Sequence, residues 1–281
     1  MIEKTLLLIA RAFSSVIFIV LKYVLRYRYG VIRKNLQRAF PEKAERERQR
    51  LMDHYYAHVA DLFVEPFLFY LAPASVRKRL MTVEGFEVFN ELYAHKKNVV
   101  ILTSHYGNWE YLIDLPTRTD YCVTSGYSPV KSKWLNDFLI RIRSRFGANL
   151  IPKQQFYRGS LNLLRTKERL NMIVVIGDQR PAPGSRKYSL PFFGMETDVQ
   201  IGAERIARTT DAAVVMLESV KIGRFKYRYH TELLDVKAND PLAITTLYFA
   251  KLEKAIRHSP VEWLWSHDRW KGRSALGVTV N

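Results

Sequence analysis

From Thr82 onward the sequence alternates between short apolar runs and amphipathic stretches, and no other feature restricts the fold as much. The runs lie near 99–104, 121–127, 148–152, 171–177 and 212–220. Val99 to Leu102 is typical: short, β-branched and free of polar residues, as a strand covered on both faces must be. The stretches between the runs supply covering helices. The pattern predicts an α/β fold with a central, mostly parallel sheet flanked by helices. Residues 225–234 alternate weakly and read as a further strand, and 241–258 as an amphipathic helix. In open sheets of this kind, sites form at the C-terminal ends of strands.

His105 stands at such an end, after Thr103 and Ser104. Gly107 and Asn108 are turn and cap residues, so a helix is expected from near Asn108, with Glu110 in its first turn. On one continuous helix five residues turn two side chains about 140° apart. His105 and Glu110 meet only if His105 lies in the loop and Glu110 on the helix that follows. A carboxylate on one imidazole nitrogen would fix the tautomer and leave the other nitrogen as a general base.

Other polar residues fall at comparable places. The strand over 171–177 ends at Gly177, which leaves Asp178 at the sheet edge, where it either caps a turn or orients an active-site Arg or His. Arg180 beside it could meet a phosphate. Leu135 to Phe146 reads as a helix stopped by Gly147. On it Arg143 is either solvated surface or a grip for a phosphate or carboxylate. Thr197 and Asp198 are read as caps of a helix running to Thr209. Phe63 to Leu71 is very apolar and interrupted by Pro66; it lies against a membrane, lines an acyl groove, or packs as a helix pair.

Residues 5–25 are mostly apolar over about the length a bilayer span requires, although Arg11 and Lys22 spoil a clean span. Arg26, Arg28, Arg33, Lys34 and Arg38 follow, a cluster suited to anionic headgroups and to the cytoplasmic side. The chain therefore divides into an anchor or interfacial helix over 1–28 and one domain over 29–281. The formal net charge of +17 favours anionic partners. A nucleic-acid or phosphoester-processing protein would share that charge, but it leaves the apolar N-terminus unexplained and no nucleic-acid module is visible. The lone Cys122, read as a small buried apolar residue, excludes an intrachain disulfide and a cysteine-rich metal site. Phosphate-binding glycine loops, zinc spacings and a G-x-S-x-G elbow are absent.

Five stretches together resemble one family. They are His105 to Glu110, the Arg143-x-Arg145-x-Gly147 segment, Gly177-Asp-Gln, the Arg186 to Gly194 loop with its Pro-Phe-Phe-Gly, and the tail containing Trp265, His267, Arg269 and Lys271. The first is similar to the HX4D/E box of glycerolipid acyltransferases, in the variant of the lipid A late acyltransferases. The resemblance covers roughly residues 25–275 and implies a glycerol-3-phosphate acyltransferase-like (lysophospholipid acyltransferase-like) fold. It implies acyl transfer from a thioester of acyl carrier protein or CoA to a hydroxyl of a phosphorylated lipid A precursor. The place would be an anionic membrane, the cytoplasmic face of the bacterial inner membrane. His105 and Glu110 would be catalytic, and Asn108, Arg143, Asp178, Arg180 and Arg269 would bind substrate. No cofactor, metal or nucleic acid is implied.

Overall fold

The computed structural model describes residues 2–166, 168–182, 184, 188–236 and 240–271. An N-terminal α-helix, α1 (Ile2–Ile19), runs into a π-helical turn, Val20–Val24. Then come α2 (Tyr29–Ala39), α3 (Glu45–Leu71), α4 (Ala74–Leu80), β1 (Met81–Glu84), α5 (Glu87–Ala94) and β2 (Val99–Thr103). A 3₁₀ helix, Glu110–Thr117, leads to β3 (Cys122–Tyr127), α6 (Lys133–Ser144), β4 (Asn149–Pro152), α7 (Lys153–Arg165) and β5 (Asn171–Ile176). The remainder is β6 (Tyr188–Phe192), β7 (Met195–Val199), α8 (Gly202–Thr210), β8 (Ala213–Gly223), β9 (Lys226–Leu233), α9 (Ala243–His258) and a short 3₁₀ turn, Pro260–Glu262.

Seven strands form one sheet in the order β1-β9-β8-β2-β5-β3-β4. Every pairing is parallel except β8 with β9. This is the expected architecture, and β2 is buried along its whole length because it is covered twice. Val100 and Leu102 enter one apolar core, and Val99 and Ile101 the other, as the two-residue period of a strand demands. β2 is flanked by β8 and β5, with Thr103 in register with Ile176. The chain beyond Thr103 and the chain beyond Ile176 therefore emerge side by side. Gly177 extends the ladder by donating its N–H to Thr103 O at 2.9 Å. A Cβ there would stand 2.8 Å from Leu102 Cδ1, so this strand end tolerates only glycine without a shift.

Three local expectations are corrected. Thr197 and Asp198 are not helix caps: they lie in β7, which pairs with β6 as an antiparallel hairpin, and α8 begins later, at Gly202. The turn is Phe193-Gly194, both with positive φ (53° and 68°), the backbone a tight two-residue hairpin needs. Pro66 does not interrupt the apolar segment but sits within the continuous α3. Cys122 is half-buried rather than buried, and its sulfur accepts a hydrogen bond from Asn149 Nδ2.

The N-terminal helix lies along α3. From Ile2 to Val24 it is 23 residues long and holds an 18-residue stretch of mean hydropathy 2.0, and by length and composition it could cross a membrane. Two of its polar groups turn inward, while Lys4 and Arg11 stay exposed: Ser14 Oγ donates to Asp61 Oδ1 at 2.7 Å, and Lys22 pairs with Asp53 at 3.2 Å. Its outer face is apolar and exposed, including Leu8, Phe13, Val16 and Val24, and it continues onto Phe63, Phe67 and Leu71 of α3.

Candidate active site

The register of β2 against β5 builds the centre of the site. His105 and Asp178 are 73 residues apart in sequence, yet His105 Nδ1 and Asp178 Oδ1 lie 2.7 Å apart. The other carboxylate oxygen, Oδ2, accepts from Trp263 Nε1 at 2.8 Å. Asp178 is only 1% exposed. Burial opposes its ionisation, but the charge and hydrogen bond of His105, with the Trp263 donor, outweigh that and hold the carboxyl below its usual range. An ionised Asp178 accepts from Nδ1–H, which leaves Nε2 with the lone pair. Nε2 lies 3.2 Å from the side-chain amide of Gln179 and borders a cavity of about 270 Å³. Trp109 covers the imidazole edge-on, at 4.6 Å between ring centroids.

The expected contact between His105 and Glu110 is therefore corrected: the carboxylate on His105 is Asp178. Glu110 opens the 3₁₀ helix and turns to Arg143 of α6 instead. Arg143 Nη2 to Glu110 Oε1 is 2.6 Å, and Arg143 Nε to Glu110 Oε2 is 3.1 Å, a two-pronged pair. Burial works against the Arg143 charge, but the Glu110 carboxylate more than offsets it and raises its pKa. Both residues line the same cavity as His105. Its inner wall is apolar, made by Leu112, Val123, Leu150, Val174 and Ile176.

Asn108 was expected to bind substrate, and the structure places it elsewhere. It is 0% exposed, and four of its polar groups have protein partners. Its N–H donates to Ser219 Oγ at 3.1 Å, and its amide nitrogen donates to Glu65 Oε2 at 2.6 Å. Its Oδ1 accepts from Tyr111 N at 3.0 Å, and its carbonyl accepts from the Tyr229 hydroxyl. Gly107 completes this anchoring, with φ +65° and no room for a Cβ, which would stand 2.5 Å from Ser219 Oγ. Arg269 is likewise withdrawn from any opening, at 2% exposure, with its guanidinium 5.6 Å from the Phe249 ring. Its three guanidinium nitrogens have no hydrogen-bond partner among the described residues. Burial, partly offset by Asp178, lowers its pKa to about 10, so it remains a cation behind that carboxylate. Arg180 lines a neighbouring cleft. Arg186 lies outside the described residues.

The tail was expected to carry Arg269, but its largest effect runs through Trp263. Residues 262–264 lie against the His105 loop as an added bridge. Gly107 N donates to Glu262 O at 2.9 Å, Leu264 N donates to His105 O at 3.0 Å, and Tyr106 bridges Trp263. Trp263 and Gln179 are the site residues sequence reasoning missed. Gln179 was within reach, since it follows Asp178 at a strand end. Nothing local marks Trp263, whose role exists only once the tail is folded back.

The chain is 22% identical over 255 residues to the lipid A biosynthesis palmitoleoyltransferase of Escherichia coli K12, covering 89% of this chain and 80% of that one. It is 23% identical over 263 residues to the lipid A biosynthesis lauroyltransferase of the same strain, covering 90% and 83%. A lipid A biosynthesis acyltransferase of Haemophilus influenzae is 21% identical over 242 residues, covering 82% of this chain and 72% of its own. The sequence profile described as bacterial lipid A biosynthesis acyltransferase matches residues 7–272, nearly the whole chain, and the protein therefore belongs to that family of acyltransferases.

Proposed function

We propose that this acyltransferase moves a fatty acyl chain from an acyl thioester, carried by acyl carrier protein, to a hydroxyl of a lipid A precursor at the cytoplasmic face of the inner membrane. One observation carries the chemistry: His105 has a buried carboxylate on Nδ1 and its other nitrogen at a cavity. His105 Nε2 takes the proton of the acceptor hydroxyl as its oxygen attacks the thioester carbonyl. Asp178 holds the tautomer and stabilises the imidazolium. The new C–O bond forms, the C–S bond breaks, and the imidazolium returns its proton to the departing thiolate. Arg143 and the Gln179 amide supply donors for the transient oxyanion. The Gln179 amide must first leave Nε2, which the incoming hydroxyl replaces. The apolar inner wall takes the acyl chain. The exposed apolar face of α1 and α3 lies in the bilayer surface, with the paired Ser14 and Lys22 kept on the protein side.

The donor and product are tested together. Purified full-length protein should transfer acyl groups from acyl carrier protein to a lipid A precursor, detected as a one-chain mass increase of the glycolipid. A product only with the CoA thioester would correct the donor. No product with either would end the proposal.

A further inference from the structure

Three cavities border one another through shared walls. The His105 cavity shares Gln179 with a polar cleft of about 400 Å³ lined by Arg28, Arg180, His267 and Lys271. That cleft shares Tyr27, Leu264 and Ser266 with an apolar groove of about 330 Å³. The groove in turn shares Trp109, Glu110 and Arg143 with the His105 cavity, and it reaches Phe63 and Phe67 on the exposed apolar face. A cationic compartment and an apolar one thus flank the same imidazole.

The charged side chains lining the polar cleft are mainly cations. Arg28 and Lys271 are exposed and Arg180 is half-buried, and none makes a side-chain hydrogen bond or ion pair within the described chain. Asp268 is the one carboxylate among the described residues of its lining. His267 is kept neutral, because burial, with the Arg269, His105 and Arg180 charges, lowers its pKa to about 4 despite Asp178. Its Nε2 accepts the Arg180 N–H at 3.2 Å and holds that backbone in place. Gln200 fixes the same turn by donating to Gln179 O at 3.2 Å. Arg28 lies four residues beyond Val24, the end of the apolar N-terminal helix, and basic side chains flanking such a helix favour anionic headgroups.

We propose that this cleft is the phosphate subsite of the acceptor: Arg28, Arg180 and Lys271 hold a phosphate ester while the acceptor's acyl chains lie in the apolar groove. The assignment rests on the acyl transfer proposed above and adds how the acceptor is oriented. With its anionic end beside Gln179 and its tails across Tyr27 and Leu264, a hydroxyl between them faces His105. A thioester donor also carries phosphate, in its phosphopantetheine arm or nucleotide, so the same chemistry has two sources.

Initial rates in nonionic detergent micelles separate them. An acylated glucosamine disaccharide, with or without its phosphates, and acyl carrier protein thioester are varied in turn, using full-length wild type and an Arg180→Ala/Lys271→Ala variant. We expect the variant to raise KM for the phosphorylated acceptor about 10- to 100-fold, the scale of lost charge-assisted hydrogen bonds. Donor KM and kcat should stay near wild type. Removing the phosphates should raise wild-type KM equally and abolish the difference between the proteins. Arg165→Ala, a charge loss on an exposed residue ahead of β5, should change nothing. A raised donor KM would assign the cleft to the carrier and overturn the proposal. So would equal losses on both acceptor forms. If wild type makes no product, binding of the two radiolabelled acceptors decides. Phosphate-dependent binding that the variant loses sustains the subsite and ends the acyl-transfer reading; phosphate-independent binding ends the subsite.

Discussion

Two hydrogen-bonded pairs, His105–Asp178 and Glu110–Arg143, meet near the cavity, and single substitutions separate their roles. Asp178→Asn keeps the size of the side chain but loses the charge that holds Nδ1–H, so kcat should fall by roughly 10²–10⁴ with KM little changed. Glu110→Gln and Arg143→Ala each break the other pair. Arg143→Ala, which also removes an oxyanion donor, should lose more than Glu110→Gln, and the double variant should be little worse than Arg143→Ala alone, because partners in one pair are not additive. If Glu110→Gln instead reproduced the Asp178→Asn loss and became non-additive with His105→Ala, Glu110 would be the functional partner of His105. His105 itself was legible: a polar residue just past an apolar β-branched run stands at a strand end. Its partner was legible only in part, since in the sequence Asp178 reads either as a turn cap or as a residue that orients an active-site Arg or His. Local spacing brought Glu110 forward as the nearest carboxylate, whereas Asp178 reaches His105 only because β5 pairs with β2, and pairing order is a property of the whole sheet.

The elements that carry His105 make separate predictions. The tail segment around Trp263 bonds to the His105 loop and to Asp178 at once. Trp263→Phe keeps much of the ring but leaves Asp178 Oδ2 unpaired in a buried setting. It should cost about 1.5–3 kcal/mol of stability, the range for a hydrogen bond to a charged group, read from denaturant unfolding. On the other side, Glu65 of α3 holds Asn108 and accepts from the Tyr227 hydroxyl at 2.9 Å. Burial, opposed by Lys221 and the Tyr227 and Asn108 donors, raises its pKa to about 8 from an ordinary 4.5. The folded chain thus keeps a proton that the unfolded chain releases. The stability from this group is fully present below about 4.5 and is lost as pH rises toward 8. The melting temperature of wild type should therefore fall more steeply between those values than that of Glu65→Gln, and parallel curves would show that Glu65 is ionised throughout. The hairpin over 188–199 was readable as well. Leu190 and Phe192 alternate inward on one strand, and Met195, Thr197 and Val199 on the other. The capping preference of Thr and Asp pointed elsewhere because it is blind to a partner strand.

Across the whole molecule, net charge and the apolar N-terminus were plain in the sequence, but the way α1 lies on α3 was not, since it depends on Ser14 and Lys22 finding acceptors on another helix. This packing bears on how membrane binding is probed. Deleting α1 would uncover Val64 and Leu68, which α1 helps bury, so substitution is the better test. Phe13→Asn with Val16→Asn changes only the outer face, 62% and 60% exposed at these positions, and should move the protein from the membrane pellet to the supernatant. Unchanged pelleting would mean another surface holds it. The central claim, that His105 activates the acceptor hydroxyl, is tested most directly by single-turnover acyl transfer to a lipid A precursor in wild type and His105→Ala, with acceptor binding measured in both. The account predicts a rate at least about 100-fold lower in His105→Ala with binding retained. A rate near that of wild type would contradict it.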